Sequence, residues 1–283
     1  MHEKKKTIEL SEVEYGENFL HLLYAPILML RDSDNEVIGY VLLIEDVTRE
    51  RKIDRAKTEF VSLASHQLRT PLAGIKWFIE LLIKGKAGKL SKKAVDYLRQ
   101  ISVSNERMIK LVRDLLDISR IETGKKFEIN RQKLVINDIL EASLNETFSL
   151  AKERKVEIAR EKTDGSFQLW IDPDKIKQVL DNLISNAIKY TPEGGMIKIS
   201  CRKEKNKVIF SVKDNGVGIP KHQQKRIFEK FFRADNAVSK ETDGNGLGLY
   251  IAKAIVEAHN GKIWFESEEN KGTTFYFSLL IEK

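Results

Sequence analysis

The chain has 283 residues, 41% of them hydrophobic and 32% charged, which suits two or three folded modules and excludes a disordered or collagen-like polymer. Its net charge of +7 is spread among interleaved acidic and basic residues, a solvated mixed surface rather than a nucleic-acid interface, and its single cysteine, Cys201, excludes an internal disulfide or a Cys-rich zinc site. No apolar run reaches the roughly 20 residues that span a bilayer, since the longest, residues 19–30, is broken by His21 and Pro26, and no secretory leader is expected.

Residues 7–14, 18–30 and 37–46 are rich in Val, Ile, Leu and Tyr and read as strands, with a turn at Asp32-Ser33-Asp34-Asn35. Three strands are too few for an independent core, so residues 1–48 read as the tail of a larger domain. From 49 to about 122 the pattern turns helical, in two long segments joined by a loop at 84–89. The second segment carries Ala94, Leu98, Ile101, Met108, Val112 and Leu115 at three-four spacing, with Asn105 in the remaining seam position. Two helices cannot bury such broad stripes alone. Two copies of the hairpin can, as an antiparallel four-helix bundle, so packing implies a homodimer. In the first segment the apolar seam slips by one residue around His66. Pro71 follows, which deprives the Gln67 carbonyl of its usual donor and predicts a kink.

After Gly124 the texture is mixed α/β. Helices are predicted at 136–153, 173–190 and 249–259, and strands at 168–171, 196–201, 208–213, 262–268 and 273–281, a sheet layered with helices. The helix opened by Asp172 and Pro173 buries Ile176, Leu180, Leu183, Ile184 and Ala187. It presents Asn182, Asn186, Lys189 and Tyr190 on a separate face. That face is either a solvated surface or a site for phosphates and a divalent ion, for which a neutral Asn carbonyl suffices when a triphosphate supplies the negative charge. A strand then runs into Asp214-Asn215-Gly216-Val217-Gly218. The carboxylate could accept from an exocyclic amine such as that of adenine, and Gly216 and Gly218 let backbone approach a flat ligand. Gly244-Asn245-Gly246-Leu247-Gly248 feeds a helix N-terminus, which offers N–H groups to phosphates, although it is neither a dinucleotide fingerprint nor a P-loop. The polar stretch 235–243 shows no burial pattern and reads as a mobile lid. Arg233, beside Phe231 and Phe232, is either a surface charge or a phosphate contact.

Together these elements resemble a sensor histidine kinase over residues 49–283. Ser65-His66-Gln67-Leu68-Arg69-Thr70-Pro71-Leu72 is similar to the phosphoacceptor box, and residues 181–192 to the N box. The G1, F and G2 boxes would begin at Asp214, Ile227 and Gly244. The resemblance implies a multidomain α plus α/β chain. Residues 49–123 would be a dimeric four-helix dimerisation and phosphotransfer bundle, and 124–283 an ATP-binding sandwich of the gyrase, Hsp90 and histidine kinase type. Residues 1–48 resemble a remnant of a PAS sensor domain ending in Asp46-Val47-Thr48. The resemblance further implies ATP and Mg²⁺ as cofactors, Asn186 as the metal ligand, and Asn182 and Lys189 near the phosphates. Tyr190 would stand at the nucleotide, Asp214 would read adenine, Gly246 and Gly248 would line the triphosphate, and Thr274 would assist at the adenine, with Gly216, Gly218, Arg233, Gly244 and Leu247 among the nucleotide-binding residues. Of five histidines, His66 is the implied phosphate carrier, charged from ATP and discharged onto an aspartate of a response regulator receiver domain.

Two neighbours of His66 are singled out. Gln67 stands where the family usually has an acid; its amide can orient the ring but not take a proton. Thr70, one helical turn on, would position a water for dephosphorylation of the regulator. The expected compartment is the cytoplasm, with no membrane segment in this chain and one upstream left open. The rival readings are a gyrase/Hsp90-like ATPase, which leaves the His66 box unexplained, and a nucleotide-binding scaffold without kinase activity.

Overall fold

The computed structural model describes residues 7–16, 18–29, 36–122, 129–161, 168–241 and 244–281. The chain forms two compact units, residues 1–67 and 68–283. The expected turn at 32–35 lies outside the described residues.

The first unit is a three-stranded antiparallel sheet in the order β1 (Ile8–Tyr15), β2 (Asn18–Met29), β3 (Glu36–Asp46), followed by the start of helix α1 (Thr48–Ile83). At the exit, the Thr48 amide donates to Oδ1 of Asp46 at 2.9 Å, and the Thr48 hydroxyl accepts from the Phe19 amide at 2.9 Å, so the turn ties the helix start to β2. Hydrogen bonding by the Thr48 side chain and amide holds the Asp46 carboxyl below the usual carboxylate range. Ile38, Tyr40, Leu42 and Ile44 on one side of β3, and Val41 and Leu43 on the other, are all exposed, as expected of three strands without a second layer.

The second unit contains the end of α1, then α2 (Lys92–Glu122), and an α/β sandwich. α1 runs on through Pro71 as a single helix. Asn105, 1% exposed, donates from Nδ2 to the Leu72 carbonyl at 3.0 Å, pinning the two helices together just beyond that proline. Of the expected seam, Val112 is buried, whereas Ile101 and Met108 are exposed, as are Ile53, Phe60, Leu63, Leu68 and Ile75 on α1.

The sandwich opens with β4 (Gln132–Val135), α3 (Ile136–Glu153), β5 (Glu157–Arg160), β6 (Gln168–Ile171), α4 (Pro173–Tyr190), β7 (Met196–Glu204) and β8 (Lys207–Asp214). It ends with a 3₁₀ turn (Gln224–Arg226), α5 (Asp235–Lys240), α6 (Gly248–Ala258), β9 (Lys262–Glu268) and β10 (Gly272–Leu280). The main sheet has the order β5-β7-β8-β10-β9, antiparallel except for the parallel β5–β7 pair, and β4 pairs with β6 separately. The apolar faces of α3, α4 and α6 cover one side of it. Ile176, Leu180, Leu183 and Ile184 of α4 and Ile251, Ile255 and Val256 of α6 meet Ile197, Ile199, Phe210, Val212 and Phe277 of the strands. Phe210 and Phe277 stack with centroids 4.4 Å apart. Cys201 is buried in this layer, and the apolar surroundings push its thiol up to about 12.

Three segments depart from the sequence reading. The short strands β4 and β5 are not predicted from the sequence, because neither alternates buried and exposed residues as the equally short β6 does. The stretch read as a patternless lid begins with α5, and Glu241 after it is buried through an ion pair with Arg154 at 2.6 Å. Burial by ion pairing leaves no trace in apolar periodicity.

Candidate active site

A single cavity gathers most of the residues singled out above, and all of it lies in the second unit. Asn182, Asn186, Lys189 and Tyr190 come from α4, Asp214 and Gly218 from the end of β8 and the turn after it, Arg233 from the segment before α5, and Gly244, Gly246 and Gly248 from the loop into α6. α4 aims its polar face because its start is fixed: Asp172 caps it, accepting from the Lys175 amide at 3.1 Å, with Pro173 as the first residue. The cap is itself held by His259, whose Nε2 accepts from the Asp172 amide at 3.1 Å while Nδ1 meets the Ile255 carbonyl at 2.8 Å.

Asp214 is buried at the cavity wall. Oδ1 accepts from the Gly216 amide at 2.8 Å and the Thr273 amide at 3.2 Å. Burial outweighs these bonds and lifts the carboxyl to about 6. Both bonds fall on Oδ1, so Oδ2 is the oxygen left to accept from a ligand. Gly216 supports this carboxylate rather than lining the cavity, and a Cβ there would sit 2.5 Å from the Tyr190 carbonyl oxygen.

Tyr190 is half-enclosed, and burial raises its hydroxyl pKa against the opposing Arg233. The Arg233 guanidinium donates to the Gly244 carbonyl at 3.2 Å and also to the carbonyl of Glu241, binding the segment around α5 to the glycine loop. Gly246 adopts φ +68°, and a Cβ there would lie 2.7 Å from the carbonyl carbon of Phe231. Only glycine permits that turn and that approach together. Phe231 itself stands at φ +61°, a strained backbone for a bulky residue, with its ring exposed.

Besides Gly216, two residues expected at the nucleotide, Thr274 and Leu247, do not line the cavity. Side chains alternate along β10, so Thr273 and Phe275 face inward, and Thr274 lies in register with Lys213 and Glu266 on the other face. Leu247 is fully buried, and its amide already donates to Oδ1 of Asn245 at 3.1 Å. Asn182 does line the cavity, but it is nearly buried, its Nδ2 donating to the Gly248 carbonyl at 3.3 Å.

Sequence reasoning missed Lys110 and Asp114 of α2, which line the same cavity, and Asn245. Lys110, Asp114 and Asp117 repeat at four and three, a second stripe on α2 that was visible but reads as a solvated face. His66, Gln67 and Thr70 are exposed on α1.

The donor set fits a nucleotide with a phosphate-bound cation. One carboxylate oxygen suits an amine, glycine-loop and Arg donors suit phosphates, and Asn carbonyls suit a hydrated cation. Among the described residues no three His, Cys, Asp or Glu side chains converge to hold a metal on their own. A cation here would be shared with phosphates.

Residues 56–124 match the His Kinase A (phospho-acceptor) domain, and residues 171–283 match the histidine kinase-, DNA gyrase B- and HSP90-like ATPase family. Over 272 residues the chain is 39% identical to the sensor histidine kinase WalK of Bacillus subtilis (strain 168), covering 95% of this chain and 44% of that protein. The chain thus spans under half the length of that relative. Among solved structures it is similar to full-length ShkA in complex with AMPPNP (28% identity, TM-score 0.62, 78% of this chain and 45% of that one). Its fold is also that of histidine kinase ThkA in complex with the response regulator TrrA (23% identity, TM-score 0.54, 99% of this chain and 80% of that one). With a phosphoacceptor module and an ATPase module in this order and a cavity equipped for a nucleotide, the chain belongs to the sensor histidine kinases.

Proposed function

We propose that the chain transfers the γ-phosphoryl group of ATP to an imidazole nitrogen of His66 and from there to an aspartate of a response regulator receiver domain, working as a homodimer. The observation that carries this reading is the cavity where the Asn182–Tyr190 face, Asp214 and the glycine loop converge. The second partner is supported by the likeness to ThkA, which assembles with TrrA. The homodimer is supported by the exposed apolar seam on both long helices.

Oδ2 of Asp214 accepts from the exocyclic amine of adenine. Lys189, Arg233 and the N-terminus of α6 offset the phosphate charge, and Asn186, with Asn182 behind it, offers its carbonyl oxygen to Mg²⁺. Bound Mg²⁺ supplies the neutralisation of charge on the transferring group, so catalysis rests on positioning and electrostatics. A lone pair of the His66 ring forms the N–P bond as the bond from the γ-phosphorus to its bridging oxygen breaks, with the electron pair leaving on ADP. The Gln67 amide oxygen accepts from the ring N–H and orients it, without the basicity to take the proton. The Thr70 hydroxyl positions a water against the regulator's acyl phosphate.

Incubation with γ-labelled ATP and Mg²⁺ tests the reading. Acid-labile, alkali-stable label on the chain, absent from His66→Ala and faster to appear in Gln67→Glu, is the expected result. Free phosphate without protein label makes the chain an ATPase; nucleotide binding with neither makes it a scaffold.

A further inference from the structure

Helix α2 is not part of the ATPase sandwich, yet two of its side chains reach that module's cavity. The Asp114 carboxylate, only 2% exposed, accepts through Oδ2 from Nδ2 of Asn245 at 2.8 Å, inside the glycine loop. The other end of the Asn245 amide accepts from the Leu247 amide just before α6, so Asn245 joins the carboxylate to the turn that opens that helix. One turn earlier on α2, the Lys110 ammonium approaches Oδ1 of Asn182 at 3.4 Å. That amide bonds in turn to the Gly248 carbonyl at 3.3 Å. One turn further, Asp117 anchors α2 to α4, accepting from Lys175 at 3.3 Å and Gln178 at 2.9 Å. The stripe thus lays a negative group on the glycine loop and a positive group on an α4 carbonyl.

The charge order is that of a nucleotide's phosphate tail and its cation. We propose that Asp114 and Lys110 are an internal stand-in for that pair, so that α2, while docked, excludes nucleotide phosphates in proportion to their charge and leaves the adenine end of the cavity open. This rests on the nucleotide reading of the cavity and adds a selectivity residue outside the sandwich. Desolvation raises the Asp114 carboxyl pKa, partly offset by Asn245 and Lys110, so an anion is kept in this place at a cost. A like charge within ~5 Å in a half-shielded site is worth about an order of magnitude in affinity.

Asp114→Asn retains an oxygen acceptor for Asn245 and removes only the charge. Calorimetry on the full chain with Mg²⁺ and a non-hydrolysable ATP analogue, ADP and adenosine should show roughly tenfold tighter binding of the triphosphate, a smaller gain for ADP and none for adenosine. Asp117→Lys, which repels Lys175 and undocks α2, should tighten the triphosphate in the same order. Because linkage is reciprocal, the triphosphate but not adenosine should speed amide exchange along α2 around Asp114 in the unaltered chain. Equal changes for all three ligands, or an unchanged triphosphate-to-adenosine ratio in both variants, overturn the proposal and leave the nucleotide reading standing. No binding of any of the three overturns both.

Discussion

Asp214 is a carboxylate kept where ionisation is unfavourable. Its carboxyl, lifted to about 6, binds protons more readily folded than unfolded, so its contribution to stability is full below its ordinary pKa near 3.8 and is lost as pH rises through 6. Asp214→Asn should therefore raise the melting temperature at pH 7.5, by ~1–3 kcal/mol of stability, while abolishing nucleotide binding. The stability gap should close as pH falls from 6 toward 4. His259 titrates in the opposite sense. Burial holds its pKa below the ordinary value near 6.5, and the neutral ring is the form that accepts from the Asp172 amide. The unfolded chain binds the proton first, so this residue's contribution is present above pH 6.5 and is lost as pH falls below it. Between pH 7.5 and 5.5 the unaltered chain should lose more thermal stability than His259→Gln, which can donate and accept at fixed charge. Both groups were in plain view in the sequence. Asp214 was legible because it ends a strand beside two glycines, whereas His259 looked like any other histidine, since its partner lies 87 positions away.

At the scale of elements, α1 carries two helix-weakening residues within one turn, Pro71 and Gly74. A Cβ at Gly74 would meet nothing within 4 Å, so packing in the described residues does not require glycine there. Gly74→Ala should stabilise the helix by about 0.5–1 kcal/mol, read as a rise in the denaturant midpoint. A fall instead would mark a helix from a second copy approaching at that point. Most elements were legible to within a residue or two, because α3, α4 and the sheet strands have long, clean periods. The strands β4 and β5 have none, since neither alternates buried and exposed side chains as the equally short β6 does.

At the scale of the whole molecule, the exposed seam is the strongest unmet demand for burial. Met108 on α2 and Phe60 on α1 are exposed in a single chain. A charge at the centre of the proposed bundle has no water or partner to compensate it. Met108→Lys should shift the chain from dimer to monomer in light scattering at micromolar concentration, without altering nucleotide binding. No helix among the described residues is long and apolar enough to cross a membrane.

By itself the sequence determined the order of modules, the helix and strand periods, and the boxes around His66, Asn186, Asp214 and the glycine loop. Those depend on neighbours close in the chain, where spacing translates directly into a helix face or a strand end. Only the tertiary structure decided that Thr273 rather than Thr274 faces the cavity, that Asn182 and Leu247 are already engaged, and that Lys110 and Asp114 of α2 complete the wall. The last pair lies 72 and 131 positions from its partners, and burial of charge across such distances is set by how elements dock, which no local period records.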